Sequence, residues 1–204
     1  MLFLGMVLFL SGVVFAGPGD ATRSAAGAAI SGDATYGAAG AAAPGDSLRV
    51  VLIRHAEKPK KGGNLNCQGL NRSWELPRML HSRFGLPAAI FVPAMDPGDS
   101  TKHARMFQTV VPFAAKYNLV ITSRFHEDDT TELAVAVREK KGTVLIVWEH
   151  SRIPAIARSL GVLEAGLKWP DGDFDSIWIV TYRKGVAVMK RSKEGLKPGV
   201  GCGF

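Results

Sequence analysis

Cysteine is scarce in this chain: two residues in 204, Cys67 and Cys202. So few exclude a disulfide-built scaffold, and without a C-x-x-C pair the usual zinc and dithiol motifs are excluded as well. A single Cys67–Cys202 bridge and two unpaired thiols both remain open. No apolar run reaches the length that spans a bilayer, the longest being residues 2–16. There is no internal repeat, Walker loop, dinucleotide fingerprint or serine nucleophile elbow, which removes the commonest nucleotide-binding and serine-hydrolase readings. Acidic residues are outnumbered, 18 Asp plus Glu against 25 Lys plus Arg, for a formal charge of +7. A basic balance favours anionic partners such as phosphorylated small molecules, nucleic acid or acidic membrane surfaces, and charge alone does not choose among them; no nucleic-acid motif accompanies it, so no nucleic-acid partner is expected.

What is present divides the chain into three. Residues 1–17 carry a short apolar segment followed by small residues, as in Val14-Phe15-Ala16-Gly17, the pattern of a secretory signal peptide. No Lys or Arg precedes it, so an uncleaved membrane anchor, or a cytoplasmic protein whose start is set too early, are the alternatives to a secreted or periplasmic one. After cleavage no stable membrane insertion is expected. Residues 18–46 are rich in Ala and Gly and read as a disordered linker, because they offer too little large apolar surface to offset chain entropy. The folded domain is expected over 47–204. Its first 45 predecessors hold one Arg and two Asp, so the basic excess belongs to the domain.

Within the domain, short β-branched runs alternate with helical patterns. Strands are predicted at 49–53, 88–92, 119–122, 143–148, 176–182 and 186–190, the last two around a Lys184-Gly185 turn. Helices are predicted at 70–84, 102–117, 130–140 and 153–160, with Pro77 and Pro112 inside the first two. Alternation of this kind gives an α/β fold, a three-layer α/β/α sandwich with a mainly parallel central sheet.

In such sheets the ligand site lies beyond the carboxyl ends of the strands, and two predicted strands run into a histidine there. Arg54-His55-Ala56-Glu57 follows the first strand, and Glu149-His150-Ser151 follows the fourth. Leu65-Asn66-Cys67-Gln68-Gly69-Leu70-Asn71-Arg72 opens a helix, and Thr101-Lys102-His103-Ala104-Arg105-Met106-Phe107-Gln108-Thr109 opens another. Taken in order, these four segments resemble the histidine phosphatase superfamily, the phosphoglycerate-mutase-like fold. The first matches R-H-G/A-E, the second L-[S/T]-x-x-G-x-x-R with Asn66 for Ser or Thr, and the third S-x-x-x-R-x-x-Q-T with Thr101 for Ser. The fourth matches the strand carrying a second pocket histidine, with Ser151 where Gly is common.

The resemblance implies a phosphohistidine mechanism with no metal or cofactor. His55 is then the nucleophile, Arg54 and Arg105 bind the phosphoryl oxygens, and His150 completes the pocket as a hydrogen-bond donor. The general acid is expected in the run His126-Glu127-Asp128-Asp129, with Asp128 first and Glu127 second; the same acidic run also suits a helix start. The resulting expectation is a histidine acid phosphatase-like phosphomonoester hydrolase. The alternative is a weak or inactive phosphate-binding module of the same fold. A mutase is disfavoured because the domain has little room for that branch's inserted segments. His81 and His103 read as surface or capping residues, Arg72 as a motif member or a solvent-facing residue, and Trp148, Trp169, Trp178 and Phe174 as packing. The loop 169–175 reads as a cover for the site.

Overall fold

The computed structural model describes residue 45, residues 47–96 and residues 101–202. The expected signal segment 1–17, and the linker 18–46 apart from Gly45, lie outside the described residues.

Six strands and four helices alternate through the domain: β1 (Arg49–Arg54), α1 (Cys67–Phe84), β2 (Ala89–Pro93), α2 (Ala104–Tyr117), β3 (Ile121–Phe125), α3 (Thr130–Arg138), β4 (Thr143–Trp148), α4 (Ile153–Ser159), β5 (Ser176–Arg183) and β6 (Val186–Lys193). They build one sheet in the order β3-β2-β4-β1-β5-β6. The first four strands run parallel; β5 pairs antiparallel with β1, and β6 antiparallel with β5. The sheet is therefore mainly parallel, with its antiparallel part at one edge. Lys184 and Gly185 make the β5–β6 turn with φ of 51° and 77°, the doubly positive pair that a tight two-residue hairpin requires.

β1 is buried on both faces, as an uninterrupted apolar strand must be. Val51 and Ile53 face α1 and α2 through Leu76, Leu80, Met106, Val110 and Phe113. Val50 and Leu52 face α3 and α4 through Leu133, Val137, Ile153 and Ile156. Two helix layers thus enclose the sheet, the expected three-layer sandwich. Trp148, Trp169 and Trp178 are buried in the second of these cores, so their role is packing.

Two helix starts differ from expectation for local reasons. α1 begins at Cys67 because Asn66 caps it, its Oδ1 accepting from Gly69 N–H at 2.9 Å. α2 begins at Ala104 because His103 adopts a left-handed φ of 63° just before it. β3 starts later than predicted because left-handed Asn118 closes α2 and Leu119 N–H still bonds back to Ala114.

The C-terminal segment is fastened to α1. Arg72 is buried, donating to both carboxylate oxygens of Glu57 at 2.7 and 2.9 Å and to Glu194 at 2.5 Å. Asn71 donates to the carbonyls of Gly199 and Gly201, and Cys67 forms a disulfide with Cys202. Of the readings open in the sequence, Arg72 is an internal strut, not a surface residue, and the cysteines are paired. Among the described residues no helix is long and apolar enough to cross a membrane.

Candidate active site

Strand register brings the two histidine motifs together. β1 and β4 are adjacent and parallel with Arg54 opposite Trp148, and His55 N–H donates to the Trp148 carbonyl at 3.2 Å. The next residues on each strand, His55 and Glu149, therefore emerge side by side at the carboxyl end of the sheet.

The loop after β1 is held from two helices. Thr109 on α2 accepts from Ala56 N–H at 2.9 Å and donates to the Arg105 carbonyl at 2.7 Å, so one hydroxyl sets the His55 loop against the helix that carries Arg105. Gln108 accepts from Leu65 N–H at 3.0 Å and donates to Asn64 at 2.7 Å. On α1 the backbone of Glu57 lies so near that a Cβ at Gly69 would fall 2.2 Å from the Glu57 carbonyl oxygen. Only glycine allows that approach.

His55 is fully buried, and its Nδ1 lies 2.6 Å from its neighbour's carbonyl, Ala56 O. A carbonyl only accepts, so Nδ1 carries the proton and Nε2 presents its lone pair. Nε2 is buried and makes no hydrogen bond, as are Nε of Arg54 and Nε of Arg105. Burial pushes His55 below the ordinary imidazole range, with Glu149 and the Ala56 carbonyl acting in the opposite direction and Arg54 reinforcing the fall. Burial likewise draws the Arg54 guanidinium below its ordinary value, opposed by Glu149 and assisted by Arg105.

Glu149 lies at the centre of the cluster. Its Oε2 is 3.2 Å from Nε2 of His55 and 3.5 Å from Nη2 of Arg105, while its Oε1 bonds Nδ1 of His150. Burial works to raise the Glu149 carboxyl, but the adjoining imidazoles of His55 and His150 overcome it and hold the group at about 2. His150 reaches Asp171 with its other nitrogen at 3.2 Å. Arg54 donates to the carbonyls of Asp171 and Asp173 and stacks under Phe174, 4.0 Å from the ring centroid. The loop 169–175 thus closes over Arg54 and His150, as a covering loop would.

A cleft of about 590 Å³ adjoins the cluster, lined by Thr101, His103, Arg105, Glu127, Glu149 and Ser151 among others. Arg54, His55, Arg105 and His150 are gathered as the motifs imply. Arg152 reaches both acidic candidates, at 3.6 and 2.7 Å, but they separate by position: Glu127 lines the cleft and pairs with His103 at 3.0 Å, whereas Asp128 is 73% exposed. Sequence reasoning passed over three members of the site. Glu149 carried a signal, its place at a strand end beside His150. Phe174 read as packing, and His103 as surface, because nothing local shows which element each will meet. Among the described residues no cluster of three His, Cys, Asp or Glu side chains is arranged to hold a metal ion.

No protein-family model matches the chain, and no curated protein matches it in sequence. Solved structures similar to it include the protein histidine phosphatase SixA complexed with tungstate, 14% identical at a TM-score of 0.48 over 72% of this chain and 97% of that one. Another is a phosphoserine phosphatase mutant from Entamoeba histolytica in complex with phosphoserine, 11% identical at a TM-score of 0.47 with the same coverages. These neighbours are members of the histidine phosphatase superfamily, whose motifs this chain resembles, and the likeness to them assigns no role to any single residue.

Proposed function

We propose that this protein is a phosphomonoester hydrolase working through a phosphohistidine on His55. The observation that carries the reading is the buried Nε2 of His55, its ring fixed by the Nδ1 bond to the Ala56 carbonyl, set beside two guanidinium groups and 3.2 Å from the Glu149 carboxylate. A neutral imidazole nitrogen so placed is a nucleophile toward phosphorus. Arg54 and Arg105 each keep a buried Nε–H unpaired, and planar guanidinium donors suit phosphoryl oxygens. His150, whose ring nitrogens meet Glu149 and Asp171 here, becomes a further donor when either contact gives way to the phosphoryl group. Phosphoryl transfer asks chiefly for such positioning and charge neutralisation. Transfer to His55 releases the alcohol, and water then attacks the phosphohistidine to return the imidazole and free phosphate.

The acid that protonates the leaving alcohol, and then activates water, is Glu127 in this reading. It faces the cleft, while Asp128 is turned to solvent and held by Arg152. The competing reading, a phosphate-binding module without turnover, is favoured by one feature, the Glu149 carboxylate already lodged among the cationic groups.

Release of phosphate from an aryl phosphate, assayed between about pH 5 and 8 with chelator present, tests the proposal. His55→Ala is expected to lose at least about a thousandfold, Glu127→Gln about a hundredfold or more, and Asp128→Asn only a few fold. Retained turnover in His55→Ala overturns the mechanism. An inactive parent that still binds phosphate, and loses it in Arg105→Ala, points to the module.

A further inference from the structure

Glu149 is an acid in the place where an anion is expected to bind. The groups that face it come from three elements: Arg54 and His55 from the end of β1, Arg105 from α2, and His150 from the end of β4, itself backed by Asp171 of the covering loop. A phosphorus atom poised for attack sits about 3–3.5 Å from the nucleophile. Oε2 already stands 3.2 Å from Nε2 of His55. A phosphoryl oxygen that reaches Arg105 also meets the Nη2 which Oε2 approaches at 3.5 Å.

An ionised carboxylate and a phosphoryl dianion in contact within a largely buried site do not both keep their charge. The carboxylate either leaves or is neutralised. Its backbone is fixed by the strand end, following fully buried Trp148, and its other oxygen is bonded to His150. Neutralisation also turns repulsion into attraction, since a protonated carboxyl donates one hydrogen bond.

Resting on the phosphohydrolase reading, we propose that Glu149 takes up one proton from solvent when an oxyanion binds, and as a neutral carboxyl donates a hydrogen bond to it. Glu149 is then the residue that sets the charge state of the ligand. The site binds a phosphoryl dianion together with a proton, and favours monoanionic phosphoryl groups without one.

Binding of sulfate and of inorganic phosphate to the full chain, followed by titration calorimetry from pH 6 to 8 in buffers of differing ionisation enthalpy, tests this without any turnover. Sulfate keeps both charges over the range, so proton uptake with it belongs to the protein. The wild type is expected to take up close to one proton per sulfate at pH 6 and fewer toward pH 8, with affinity falling by up to about tenfold per pH unit at the acid end of the range. Glu149→Gln, with Glu149→Ser as a second variant should the first fold poorly, is expected to flatten that slope to less than about threefold per unit and to bind sulfate about tenfold or more tighter at pH 8. Because Glu149 touches both imidazoles, His55→Gln is measured beside them and is expected to keep the wild-type slope. Binding with the same slope in the variants overturns the proton uptake and leaves the hydrolase reading standing. Absence of oxyanion binding to the wild type and both variants, with Arg105→Ala no different, overturns both.

Discussion

At the scale of single residues, Glu149 shows how magnitudes decide a charge state. Being held at about 2 in place of an ordinary 4.5 corresponds to roughly 3 kcal/mol in favour of the carboxylate. Lifting it from there to about 7 requires roughly 7 kcal/mol. A dianion at about 4 Å supplies about 8 kcal/mol at an effective dielectric of 20, enough to reverse the balance. In the free protein the sign is opposite. Glu149 and His55 are both depressed by folding, so each contributes stability that is present above its unfolded value and lost on acidification. For Glu149 the loss falls between about pH 4.5 and 2. Thermal unfolding of wild type and Glu149→Gln from pH 7 to 3 is expected to show the smaller acid loss in the variant; parallel curves contradict the assignment. Residue identity at the site was legible where a motif fixed it, as with Arg54, His55 and Arg105. Glu149 was not, because its meeting with His55 depends on the register of two strands 94 residues apart, Arg49 pairing with Thr143.

Elements were more legible than their ends. β4 and the start of α3 lie where the apolar pattern put them, because a buried strand and an acidic helix start announce themselves locally. The start of α1 required chemistry instead of pattern. Asn66 stands where the resembled motif has Ser or Thr, and it performs the same task, its side-chain oxygen taking the Gly69 N–H. Asn, Ser and Asp are close to equivalent as caps, whereas Ala leaves the donor unpaired. Asn66→Ala is thus expected to cost about 1 kcal/mol, a fall of about 2–4 °C in unfolding midpoint, and Asn66→Ser close to nothing. Equal losses in both show that Asn66 acts chiefly through its other bond, from Nδ2 to the Lys58 carbonyl at 3.3 Å.

At the scale of the whole molecule, the chain closes on itself at α1. Cys67 and Cys202 are 135 residues apart in sequence and 4.8 Å apart at Cα. Sequence alone left their pairing open because nothing local tells the tail where to lie. Arg72 decides it: its guanidinium holds Glu57 from the loop after β1 and Glu194 from the end of β6, and Asn71 takes the carbonyls of Gly199 and Gly201. These bonds bring the tail to the first turn of α1, where Cys67 stands. A crosslink over so long a loop restricts the unfolded chain, a stabilisation of about 2–5 kcal/mol. The polar contacts beneath it survive its loss, so the reduced protein is expected to stay folded with a lower unfolding midpoint. Cys202→Ala should match the reduced wild type and be insensitive to reductant, in denaturant titrations with and without dithiol. A midpoint unchanged by either treatment contradicts the stabilisation assigned to the crosslink and leaves Arg72 and Asn71 as what holds the tail.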